Sequence, residues 1–148
     1  MAKYEQREGT VLGAIEEALS TAEELRDELQ DWYDNLPESF QNGDKGSELQ
    51  EAIDQMEEAI SALDDAQGAD AEAVHNLSIA YQQIVYPKSE YMSRSKRLAL
   101  SLCALEGVPT DLDGVEVPED NESDAEEVLE RCTEALDLLQ SVSFPSMY

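Results

Sequence analysis

Residues 74–87, VHNLSIAYQQIVYP, carry apolar side chains at Val74, Leu77, Tyr81 and Ile84. Intervals of three and four mark one face of a helix. The stretch therefore reads as a helix capped by Asp70 and ended at Tyr86-Pro87, because the residue before a proline is pushed away from helical angles. That reading decides the fold class. With this segment helical, no alternating strand pattern is left in the chain, and an all-α protein follows.

Outward from it, the same periodicity recurs. Upstream, Leu49, Ile53, Met56, Ile60 and Leu63 form a seam started by the capping box Ser47/Gln50 and stopped at Gly68. Before that, Val11, Ile15, Ala18, Ala22, Leu25, Leu29, Trp32 and Leu36 recur at fours and threes, with Tyr4 one heptad earlier. This first helix is expected to reach about Asp34, ahead of Pro37. Downstream, Ser89 is read as the cap of a helix bearing Tyr91, Leu98, Leu102 and Leu105, with Leu100 and Cys103 on its other sides and Gly107 at its end. Residues 108–122 read as an acidic loop. Ser123/Glu126 cap a last helix with seam Val128, Cys132, Ala135, Leu139 and Val142, and residues 143–148 form a tail. The expectation is one domain, 1–148: an all-α bundle of about five helices with an acidic outer surface. The heptads of the first helix also allow a coiled-coil homodimer built on that helix.

The chain of 148 residues has 35 acidic and 9 basic residues, a net charge of −26. Such a surface repels nucleic acid and anionic membranes and attracts basic proteins. The first ten residues are polar, no apolar run nears the roughly 18 residues of a membrane span, and the two cysteines make no disulfide framework. A cytoplasmic location is expected.

The acids avoid the seams. Glu16, Glu17, Glu23, Glu24, Asp27, Glu28, Asp31 and Asp34 on the first helix, and Glu51, Asp54, Glu57 and Glu58 on the second, are all off-seam. They read as a coat. All-α nucleotide pyrophosphohydrolases carry similar Glu-Glu and Glu-x-x-Asp patterns, and Glu23, Glu24, Glu51 and Asp54 fit them on paper. That chemistry needs inward carboxylates around Mg²⁺, so it is kept only as an alternative. Glu72 and His75 supply one Glu-x-x-His where a di-iron site needs two. Asp111, Asp113 and Glu122 have calcium-loop spacing, but Val115 and Glu116 occupy its fifth and sixth positions. Cys103 with His75 lacks an orienting group. The chain reads as a non-enzyme without metal or cofactor.

Two explanations of the charge compete beyond simple solvation. One is adaptation to high salt, where the Debye length falls to about 3 Å and repulsion vanishes. The other is mimicry of nucleic acid. Eight acids over residues 16–34 span about 28 Å at 1.5 Å per residue. That is about 3.5 Å per charge, near the 3.4 Å per phosphate of one DNA strand. A face of this kind could displace DNA from a basic groove.

The stretch LRDELQDWYDNLPESFQNGDKGSELQEAIDQMEEAI, residues 25–60, resembles segments of open reading frames of bacteriophages and mobile elements. In composition and helical content the chain is similar to the phage DNA-mimic and anti-restriction class. The resemblance implies an inhibitor of a host defence, DNA-handling or nucleotide-binding protein, and transfers no functional residue.

One region runs against the charge. Lys88, Arg94, Lys96 and Arg97 lie within ten residues, and 88–97 sums to +3 while the rest sums to −29. Two roles are open: internal counter-charge, with Arg94 and Arg97 facing acids such as those of the 111–122 loop, or docking of an acidic partner or a second copy. Trp32 is read as core. Tyr33, Phe40 and Phe144 are off-pattern and are candidates for partner contact.

Overall fold

The computed structural model describes residues 3–89 and 91–145, so residues 146–148 of the expected tail lie outside the described residues. Its elements run β1 (Lys3–Thr10), α1 (Val11–Asn35), α2 (Glu38–Gln41), α3 (Asp44–Gly68), α4 (Glu72–His75), β2 (Ser78–Val85), α5 (Arg94–Glu106), a 3-10 turn (Glu119–Asn121) and α6 (Glu122–Ser141). The protein is mostly helical but not all-α. A two-stranded antiparallel sheet pairs β1 with β2, from Lys3 opposite Val85 to Thr10 opposite Ser78.

The correction falls on the stretch that decided the fold class. Helix ends at His75 after one turn, α4, and the chain turns at Leu77, whose N–H donates to the Val74 carbonyl. The Leu77 carbonyl then accepts from Val11 N–H, which begins the ladder. Leu77, Tyr81 and Ile84 fit helical spacing, but Ile79, Tyr81, Gln83 and Val85 also alternate. Ile79 and Gln83 are buried, and β2 packs along α5. Density of β-branched and aromatic residues favours the pleated strand. Tyr4 is likewise not a first helical turn. Thr10 takes extended angles as the cap of α1, its Oγ1 accepting from Gly13 N–H at 3.1 Å, so residues before it leave the helix.

Four long helices enclose the core. α1 packs between α3 and α5, and α3 between α1 and α6. Partners Gln55–Leu138 and Asp65–Arg131 show α3 and α6 antiparallel, and Glu24–Arg97 and Glu28–Arg94 show the same of α1 and α5. The seams of the sequence supply most of the core: Ile15, Leu25, Leu29, Leu49, Ile53, Met56, Leu63, Leu105 and Leu139 are all below 2 % exposed, and Leu129, beside the α6 seam, joins them. The α1 seam is therefore consumed inside the monomer, which removes the surface a coiled-coil dimer on this helix would need.

Helix starts differ from the expected caps. α3 begins at Asp44, three residues before Ser47, and Gly46 is buried where a Cβ would strike the backbone of Gln41. α5 is capped by Ser93, whose Oγ accepts from Lys96 N–H at 3.3 Å, rather than by Ser89. α6 begins at Glu122, just before the Ser123/Glu126 box. Gly107 ends α5 as expected, and it also lets β2 approach, since a Cβ there would lie 3.0 Å from the Tyr81 Cβ.

Candidate functional site

The outward face of α1 follows from its inward one. Eight positions, Val11 to Leu29, are buried, and a helix that buries one stripe turns the opposite stripe to solvent. Glu16, Glu17, Glu23, Glu24, Asp27, Asp31 and Asp34 are exposed, and Glu28 is half-buried. On the adjoining α3, Glu51, Asp54, Glu57 and Glu58 are exposed. The four carboxylates of the pyrophosphohydrolase pattern, Glu23, Glu24, Glu51 and Asp54, thus face outward. Among the described residues no three His, Cys, Asp or Glu side chains gather in a way that could hold a metal ion.

The row is not uniform. Its flank toward α5 is clamped by the cations of the basic region. Arg97 donates to both carboxylate oxygens of Glu28, at 3.0 and 2.6 Å, and to Glu24 at 2.5 Å, while Arg94 Nε donates to Glu28 at 3.2 Å. These hydrogen bonds from Arg97 hold the Glu28 carboxyl below the ordinary carboxylate value and raise the Arg97 guanidinium. The acids that face Arg94 and Arg97 therefore come from α1, not from the 111–122 loop. Arg94 also lies 5.4 Å from the Trp32 ring centre, with Lys45 at 6.0 Å. Trp32 is half-buried against the core beneath two cations rather than fully inside it. Lys96 sits 5.4 Å from the Tyr86 ring centre, and Lys88 lines a groove with Arg7, Glu17 and Gln83. Partial desolvation beside this groove raises the Glu17 carboxyl, with the Arg7 charge opposing it.

Arg131 does for α6 and α3 what Arg97 does for α5 and α1. It reaches Glu134 at 2.8 Å, Glu127 at 3.8 Å and Asp65 at 3.9 Å. Three of the five arginines, Arg94, Arg97 and Arg131, are thus spent between helices, and the other flank of α1 (Glu16, Glu23, Asp27, Asp34) meets only Arg26, on Asp27 at 3.1 Å, among the ion pairs of the described residues.

A second acid group emerges only in three dimensions. Asp111 from the 108–118 loop joins Glu126, Glu130, Glu134 and Asp137 of α6 around an open groove of about 590 Å³ floored by Leu112 and Leu129. The α6 acids lie off the seam of that helix, and their meeting with Asp111 depends on the loop. The Asp111 carboxylate accepts from Asp113 N–H at 3.0 Å, a local turn ahead of Gly114 with φ 78°.

The nucleophile and ligand candidates have structural roles. His75 is buried, with Nε2 2.7 Å from the Ala66 carbonyl, closing the last turn of α3. Cys103 and Cys132 are buried free thiols, and burial pushes Cys132 up to about 12 and raises Cys103 as well. Neither is poised as a thiolate. Of the off-pattern aromatics, Tyr33 and Phe144 pack partly on the core, while Phe40 is 58 % exposed. No helix among the described residues is long and apolar enough to cross a membrane. The chain matches no protein family, no curated protein and no solved structure with which it was compared.

Proposed function

We propose that the protein is a non-catalytic binding protein whose α1–α3 acidic face occupies a basic surface of a DNA- or nucleotide-handling protein in place of nucleic acid, as an inhibitor of the phage anti-restriction kind. The observation that carries this reading is the flank of α1 left uncompensated. Among the ion pairs of the described residues, Glu16, Glu23 and Asp34 stand on solvent without an arginine, and Asp27 meets only Arg26. Asp54, Glu57 and Glu58 of the adjoining α3 are exposed as well, and Arg94, Arg97 and Arg131 are held by other acids. Like-charged neighbours on a helix cost stability, so such a flank is retained where a cationic partner or its solvent offsets the cost. Carboxylates would then meet the lysines and arginines that normally meet phosphates, and affinity would fall steeply with salt.

The test is capture of partners from bacterial lysate on the immobilised protein, eluted in a salt gradient, followed by competition with duplex DNA. The expected result is a nucleic-acid- or nucleotide-handling protein that elutes at moderate salt and is displaced by DNA. Reversing Glu23, Asp27 and Asp34 to lysine should abolish capture, whereas the same change at Glu126, Glu130 and Asp137 should not.

A second reading is favoured by one observation: the acids are not confined to α1 and α3 but also line the α6 groove. A coat on every face suits adaptation to concentrated salt. Under that reading no specific partner is captured, and the melting temperature climbs steadily towards molar salt.

A further inference from the structure

We propose that β1 pairs edge to edge with β1 of a second copy of this chain, antiparallel about a twofold axis, so that two ribbons become one four-stranded sheet. The inference is independent of the binding role given to the acidic face.

The strand is built unlike anything else in the fold. Residues 3–8 and Thr10 are exposed, and β1 packs chiefly on β2. An isolated two-stranded ribbon is marginal, and its free edge is a template for another strand. The Val11–Leu77 bond sets the phase of the ladder. Paired residues alternate between hydrogen-bonded and non-bonded, so Lys3, Glu5, Arg7 and Gly9 turn their backbone groups to β2. Tyr4, Gln6, Glu8 and Thr10 turn theirs away. Among the described residues, no backbone hydrogen bond of a turn, loop or cap involves residues 3–9.

Charge selects the occupant. The segment 3–10 contains Lys3, Glu5, Arg7 and Glu8 and sums to zero in a chain of −26, so this edge lacks the repulsion that the acidic faces would impose on a second copy. The outward groups must meet outward groups, which restricts the registers. Centring the pair on Glu5 sets Glu5 on Glu5 and Arg7 on Lys3, and centring it on Arg7 or Glu8 sets like on like. Centring it on Gln6 sets Glu5 of each copy opposite Arg7 of the other, Tyr4 opposite Glu8, and Gln6 opposite itself. Opposite charges directly across a ladder stabilise it and like charges oppose it. Within one chain Arg7 already reaches Glu5 at 3.0 Å, and both side chains are more than half exposed, so they are free to exchange partners across the axis. Their exposure also leaves room: the buried residues of the sheet belong to β2, so the helices lie under β2 rather than under β1.

The experiment is sedimentation equilibrium of the full chain and of four variants, with helical circular dichroism as the folding control. The wild type is expected to reach a dimer of about 33 kDa, twice the 16.4 kDa chain, and to dimerise more strongly as salt screens the net charge. Glu5→Arg and Arg7→Glu should each weaken the dimer about tenfold, and the double exchange should restore it. Gln6→Pro removes an outward N–H without touching the β2 ladder, and should leave a folded monomer. A wild type that stays at 16.4 kDa overturns the proposal. So does a dimer indifferent to these changes, which would use another surface. A monomer that loses a lysate partner on Gln6→Pro would give the edge to a foreign strand and also overturn it.

Discussion

β1 and α1 meet at the Thr10–Val11 bond and could hardly differ more. α1 puts Val11, Ala14, Ile15, Ala18, Ala22, Leu25 and Leu29 at 0–1 % exposure, while no residue of β1 is buried. The helix gives one stripe to the core and the other to solvent. The strand gives its backbone to β2 and nothing to the core. The difference separates what holds the protein together from what is left available: apolar burial in the four long helices carries the stability, and the charged face of α1 and the open edge of β1 carry little of it.

Four substitutions sharpen or break that contrast. Leu25→Ala should destabilise most, by about 3 kcal/mol, because the side chain is fully enclosed. Urea unfolding measures it, and a loss below about 1 kcal/mol would mean the bundle is not the seat of stability. Gly46→Ala should follow at about 2 kcal/mol, since the new methyl group meets the Gln41 backbone, which cannot rotate aside as a side chain can. A neutral thermal melt for that variant would show the α2–α3 joint to be loose.

Glu28→Gln should cost about 1 kcal/mol at neutral pH by loosening the α1–α5 clamp. Its pH dependence has a definite sign. The folded-state value of Glu28 lies below the ordinary 4.5. Its contribution is therefore present above that value and lost as pH falls through the lower, folded one. Paired urea titrations should show the gap between wild type and variant closing below pH 4.5; a constant gap would assign the cost to shape rather than charge. Smallest of all, Gln6→Pro should change the unfolding free energy of the monomer, compared at a concentration too low for association, by under about 0.5 kcal/mol, because the residue is exposed and its N–H points away from β2. A loss comparable to that of Leu25→Ala would mean that the ribbon is part of the cooperative core.

Much of the fold was legible because burial writes a period into the sequence. Most seam residues of α1, α3, α5 and α6 recur as core residues, and Pro37 and Gly107 mark the helix ends they were expected to mark, but Tyr91, expected on the α5 seam, lies before that helix and is 79 % exposed. The off-seam acids lie on the surface for the same reason. The helix starts were less legible: Asp44 precedes the capping box because Gly46 permits contact with α2, a tertiary event. The clamp was legible as a cluster of cations but not as a pairing, since Arg97 and Glu24 are 73 residues apart.

By itself, the sequence determined one enclosed apolar core, a helical majority and an acid coat, because side-chain periodicity and the avoidance of buried charge are local rules repeated along the chain. Only the tertiary structure decided that residues 78–85 are a strand. The segment satisfies both periods, helical through Leu77, Tyr81 and Ile84 and alternating through Ile79, Tyr81, Gln83 and Val85, and the choice rests on β1, whose ladder bonds need the intervening helices to bring the chain back. The same return of the chain decided which glutamates are spent on arginines and which are left facing out.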